Sequence, residues 1–131
     1  MKPRSQRKGS IAVEVALTLP VLAVLLLGIL EWGWAFPRIV ALQHIARDAC
    51  RTGSLVAAAD GSAVAQARAR QRLLDDNFPV DDVTIEVSTG TAPTAGNTLT
   101  VQLTVPYHAL FGAVPTPLSL EASATQRMED Q

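Results

Sequence analysis

Between Ile11 and Leu30 every position is Ala, Val, Leu or Ile except Glu14, Thr18, Pro20 and Gly28. A helix over that run, at about 1.5 Å per residue, reaches about 30 Å, the thickness of a bilayer's hydrocarbon layer. A helix in a soluble domain this small would have one face to bury, so an apolar surface on all sides marks a membrane segment. The pattern then becomes amphipathic. Ile39, Leu42, Ile45, Ala46, Ala49 and Cys50 recur at helical spacing and leave Arg38, Gln43, Arg47 and Arg51 on the other side. The first helix is therefore expected to continue, bent or straight at Pro37, to about Thr52, with Gly53 as its stop.

Asp60-Gly61-Ser62 reads as a turn, with Ser62 able to cap a second helix that ends near Asn77. Its apolar residues are Ala63, Val64, Ala67, Leu73 and Leu74, and Arg68, Arg70 and Arg72 read as a solvated face. The period then changes to two. Val83, Ile85 and Val87 form one alternating set, Leu99, Val101, Leu103 and Val105 a second, and Leu118, Leu120, Ala122 and Ala124 a third. STGTAPTAGN and AVPTP read as the connecting loops. The expected fold class is α+β, a transmembrane helix continuing into a domain of two helices and a three-stranded antiparallel sheet. The expected divisions are a basic leader over 1–9, a membrane and extended amphipathic helix over 10–53, and an extracytoplasmic α/β domain over 54–131.

Charge adds an orientation. The leader holds Lys2, Arg4, Arg7 and Lys8, four of the eleven basic residues and none of the twelve acidic ones. Seven basic against twelve acidic side chains leave the rest at a formal −5, which disfavours a nucleic-acid partner. The basic leader puts the N-terminus on the cytoplasmic side and the body outside. Glu31, Trp32 and Trp34 follow the apolar run directly and read as its membrane-interface residues, the two Trp fitting either an aromatic belt or packing on the folded domain. Cys50 is the sole cysteine, which excludes an intrachain disulfide and reads as a small apolar residue on a helix face. His44 and His108 have no partners at ligand spacing. Asp75, Asp76, Asp81 and Asp82 lack the glycine and closing glutamate of a calcium loop and read as a solvated acidic turn. No metal, cofactor or catalytic constellation emerges, so the chain is read as a non-enzyme.

Glu14 is the residue that needs an explanation, because a carboxylate inside a membrane helix costs on the order of 3 kcal/mol. It is the fifth residue counted from Ser10, and Gly9 closes the basic leader before it. Basic leader, Gly, and Glu five positions on resemble the processing signal of type IV pilin-like proteins. The run GSIAVEVALTLPVLAVLLLGILEWGWAF, followed by ARDACRTGS, is similar to the TadE-like family of tight-adherence pilus assembly proteins. Gly9, Glu14, Ala16, Leu17, Pro20, Gly28, Glu31, Gly33, Ala46, Arg47, Arg51 and Gly53 fall on the family pattern, and Val15 stands where the family often has Phe. Arg127 and Glu129 echo a family-like ending after the last strand.

The resemblance implies a pilin-like architecture and a minor pilin or pseudopilin role in tight-adherence (Flp, type IV-like) pilus assembly. It implies a cut between Gly9 and Ser10 by a prepilin peptidase, with Glu14 as an assembly contact that meets the amine so created. Its implied partners are sibling pilin-like subunits and the assembly platform, at the bacterial inner membrane. The reading from a different class is a signal-anchored periplasmic adaptor or ligand-binding module, in which Glu14 is incidental.

Overall fold

The computed structural model describes residues 5–56, 60–92, 96–112, 115 and 117–128, with only the backbone for 5–9, 92 and 96. The elements are helix α1 (Ser5–Ser54), helix α2 (Gly61–Asp75), a short 3-10 turn (Val80–Asp82), and strands β1 (Thr84–Ala92), β2 (Gly96–Pro106) and β3 (Ser119–Arg127). The chain forms two compact units, Met1–Ala35 with Ala109–Thr116, and Phe36–His108 with Pro117–Gln131.

In the first unit, every residue from Ser10 to Leu26 is exposed, aliphatic side chains included. Pro20 and Pro37 both lie within α1 without ending it. Exposure falls only at Leu27 and Gly28, and Glu31 and Ala35 are buried. Leu27, Glu31 and Ala35 are spaced by four and so line one face of the helix.

The second unit is a two-layer α/β arrangement. The sheet order is β1-β2-β3, antiparallel throughout, as the alternating pattern predicts. The rungs Ile85–Leu103–Ala122 and Val87–Val101–Ala124 put the apolar residues on one face. Leu99, Val101, Leu103 and Val105 of the central strand are all buried, whereas Ile85 and Val87 at the edge are half-buried. Leu42, Ile45, Ala46, Ala49 and Cys50 of α1 are buried, as are Ala65, Ala69 and Leu73 of α2. Cys50 donates its thiol to the Leu99 carbonyl at 3.1 Å, so the lone cysteine is a buried packing residue whose thiol is pushed up in pKa by burial.

The two helices meet at small residues. A Cβ on Gly53 would lie 2.6 Å from the Gly61 carbonyl oxygen and 2.8 Å from Ala65 Cβ, and one on Gly61 would lie 2.7 Å from the Gly53 oxygen. Glycine is required here by close backbone approach. α2 ends in a Schellman motif: Asn77 takes φ +58, its N–H donates to Leu74 O at 3.1 Å, and Phe78 N–H donates to Leu73 O at 2.9 Å. Phe78 and Leu73, the motif's apolar pair, are both buried.

Five local expectations need correction. Asp60 occupies the N-cap position of α2 and makes no side-chain cap bond, so Ser62 lies inside the helix and does not cap it. The inward face of α2 is Gly61, Ala65, Ala69 and Leu73, spaced by four, and Leu74, Ala63 and Ala67 are exposed. Most of STGTAPTAGN is strand, paired from Ser88↔Thr100 to Ala92↔Gly96, because exposed β-branched Thr residues extend the hairpin without an apolar alternation to betray it. Leu118 falls past the last rung, Pro106↔Ser119, and is 90% exposed. Arg127 is the last residue of β3, not a residue after it, and Glu129 lies outside the described residues, as do Lys2 and Arg4 of the leader.

Candidate functional site

The N-terminal half of α1 carries the processing and assembly residues read from the sequence. Gly9 and Ser10 are both helical in backbone, since α1 begins at Ser5. Ser10 and Glu14 are four apart on that helix, which stacks them on one face about one turn from each other. Glu14 is exposed and lines a shallow groove of about 400 Å³ with Ile11, Val15, Thr18, Leu19 and Leu22. The Thr18 hydroxyl donates to the Glu14 carbonyl at 2.7 Å, a back-bond to the preceding turn that keeps this polar side chain satisfied in an apolar stretch. The result is one carboxylate in an otherwise aliphatic surface. α1 is the one helix among the described residues long and apolar enough to cross a membrane.

The second feature is Glu31, read from the sequence as an interfacial residue. It is 1% exposed. Its Oε1 accepts the Leu110 N–H at 2.8 Å and its Oε2 the Phe111 N–H at 3.0 Å. Both carboxylate oxygens are thus engaged with backbone donors about 80 positions away in sequence, as a buried carboxylate requires. Trp32 and Trp34, its near neighbours, are each 46% exposed.

A third cluster went unread in the sequence. Asp48 of α1 accepts through one oxygen, Oδ2, from Arg72 Nε at 2.8 Å and Arg68 Nε at 3.0 Å. Arg68 and Arg72 therefore do not form a merely solvated face, while Arg70 is exposed. The i, i+4 spacing of those two arginines was the available signal, because it aims both at one point. The cluster ties α2 to the C-terminal half of α1. Hydrogen bonding from Arg72, then from Arg68, holds the Asp48 carboxyl below the usual carboxylate range.

A carboxyl with a depressed folded pKa adds stability above its unfolded pKa and loses it as pH falls through the folded value. Asp48→Asn should therefore lower stability by about 0.5–1 kcal/mol at neutral pH, discounted for partial exposure. In urea titrations, the gap between wild type and variant should close on acidification below the ordinary carboxylate range.

The open depression beside this cluster, about 300 Å³, is lined by His44, Ile45, Asp48, Arg72 and Asp76, and its central Asp48–Arg72 pair is already bonded. His44 on α1 and His108, after the end of β2, are both exposed. Asp75, Asp76, Asp81 and Asp82 are exposed, and among the described residues no three His, Cys, Asp or Glu side chains gather at metal-binding distance.

Gly9, Glu14, Glu31 and Asp48 are all carried by one continuous helix, and a family model matches that helix. Residues 9–51 match the family described as TadE-like protein. The TadE-like segment covers α1 from Gly9 almost to its end, and it includes Glu14, Glu31 and Asp48 but none of α2 or the sheet. No curated protein and no solved structure matches the chain. The TadE-like match bears out the resemblance drawn from the glycines, glutamates and arginines of the helix.

Proposed function

We propose that this chain is a minor pilin or pseudopilin of a tight-adherence (Flp, type IV-like) pilus system, anchored by α1 in the bacterial inner membrane. The observation that carries the reading is the TadE-like match over 9–51, which begins at the glycine of the processing signal. The aliphatic surface exposed all round α1 from Ile11 to Leu26 supports the anchor, since such a surface has no stable partner in water. The N-terminus faces the cytoplasm and the α/β body lies outside, following the four basic residues of the leader.

In this reading a prepilin peptidase cuts between Gly9 and Ser10, and the helix stays in the membrane. The peptide there is helical, so the enzyme must unwind a turn of α1; Gly9 eases that by about 1 kcal/mol relative to alanine. The freed Ser10 amine then lies about one helical turn from Glu14, and sibling subunits and the assembly platform meet the chain through α1 and its outer domain. Its role is structural and not catalytic.

Intact-mass analysis of the membrane protein, with and without a co-expressed prepilin peptidase, tests this. The expected result is loss of residues 1–9 and a new N-terminus at Ser10, only when the peptidase is active. A full-length chain beside a peptidase that processes its other substrates overturns the proposal.

A further inference from the structure

The β2–β3 connection departs from what a surface loop should be. Residues 107–118 contain no Asp, Glu, Lys or Arg, in a chain that is 18% charged. Leu110 and Phe111 stand 51% and 55% exposed, although connecting loops at a water-facing surface favour polar residues. Gly112 takes φ +60 immediately afterwards, a left-handed conformation that glycine adopts without strain.

That pair is attached to one place. The two carboxylate oxygens of Glu31 accept the consecutive N–H groups of Leu110 and Phe111. Glu31 directly follows Leu30, the last residue of the apolar run, and Trp32 and Trp34 come next. The loop is thus bonded to α1 at the level where hydrocarbon gives way to headgroups. Pairing also removes the main obstacle to lipid contact. A loop entering that region must satisfy its backbone donors without water, and Glu31 satisfies both N–H groups of the apolar pair.

We propose that Leu110 and Phe111 form a second membrane contact, inserted into the interfacial layer of the bilayer beside Trp32 and Trp34, and that Glu31 is the positioning residue that holds them there. The inference rests on α1 being a membrane anchor. Lipid is favoured as the occupant over a protein surface because the Leu-Phe pair is bonded to Glu31, one residue past the end of the anchor's own apolar run. Aromatic and aliphatic side chains at this depth fix how far an anchor sits in the membrane, so the loop would help to set the depth of the anchor itself.

The experiment uses the full chain in vesicles of phosphatidylcholine and phosphatidylglycerol whose acyl chains carry bromine just below the headgroups. Phe111→Trp in a Trp32→Phe, Trp34→Phe background makes the loop indole the sole Trp. Its emission should shift to shorter wavelength and be quenched to an extent comparable with Trp32 and Trp34 of the parent chain. Glu31→Gln, whose amide oxygen replaces two acceptors with one, should return the loop indole to unquenched, water-like emission.

Water-like emission from the loop indole with Glu31 intact, while Trp32 and Trp34 of the parent are quenched, overturns the loop contact and leaves the anchor standing. Absence of quenching in the parent overturns both. Shielding of the loop only when pilin-like subunits are added identifies a protein contact and overturns the lipid assignment. Undiminished quenching in a folded Glu31→Gln chain removes the positioning role. If that variant loses its circular dichroism signal, Gly112→Ala, which opposes the left-handed turn and leaves the carboxylate in place, substitutes for it with the same expected loss of quenching.

Discussion

Leu99→Ala is expected to cost about 2–5 kcal/mol, a large share of the roughly 5–15 kcal/mol that holds a domain of this size. Leu99 is completely buried in the central strand, where its carbonyl accepts the Cys50 thiol at 3.1 Å. Its Cδ2 lies only 2.7 Å from where a Cβ on Gly53 would stand, so the side chain fills the gap that the glycine leaves between helix and sheet. Truncation opens a cavity against two closely spaced helices, and Gly53 has no side chain with which to refill it. The matched control is Leu118→Ala, expected to change stability by less than about 0.5 kcal/mol because the side chain is 90% exposed. Urea unfolding of both variants, in the detergent used for the wild type, compares them directly. A shift in midpoint at constant slope for Leu99→Ala, and none for Leu118→Ala, is the expected pair of results. Equal shifts would mean that β2 does not carry the core.

Those two leucines look alike in sequence, and the reason they differ marks where reading the chain stops. Each heads an alternating apolar set, and alternation identifies which residues share a face but not how far the sheet is covered. Pro106↔Ser119 is the last rung between β2 and β3, so Leu118 keeps the parity of Leu120 while lying past the covered area. Leu99, Val101, Leu103 and Val105 show the other case, where the alternation is right at every position. The long apolar helix and its amphipathic continuation were equally legible, because a membrane span and a helical face are both local, periodic signals.

What stayed hidden was contact across the sequence. Glu31 was legible as a carboxylate at the end of an apolar run, and its position suggested water or headgroups as its surroundings. Nothing periodic announces that backbone donors at Leu110 and Phe111 take both its oxygens. Asp48 was missed for a similar reason: its partners lie 20 and 24 positions on, in another helix. Treating Arg68, Arg70 and Arg72 as one set concealed that the first and last share a helix face and the middle one does not. The apolar positions therefore disclosed the architecture, and the polar ones that tie distant segments together emerged only with the fold.

Glu14→Gln should abolish pilus assembly while leaving membrane insertion intact. Glutamine has nearly the same shape, and a neutral amide is cheaper to insert than a carboxylate whose cost is on the order of 3 kcal/mol, so the substitution removes charge without harming the anchor. Glu14 belongs to an exposed stretch in which every residue from Ser10 to Leu26 faces outward. Its carboxylate is therefore available to a neighbouring helix, or to the Ser10 amine one turn away after a cut at Gly9. Cleavage would also make Ser10 the start of the helix and bring Glu14 close to the positive end of its dipole, where an anion is favoured. Both effects need the charge. The measurement is a pair of readouts on one strain: the variant's level in the membrane fraction, and the yield of sheared surface pili. Normal membrane level with pili lost is the expected pattern. Normal pili would show that the carboxylate is incidental and favour an anchored adaptor with no part in the fibre. Loss of both would mean that Glu14 acts on insertion itself, which a neutral isostere in hydrocarbon gives no physical reason to expect.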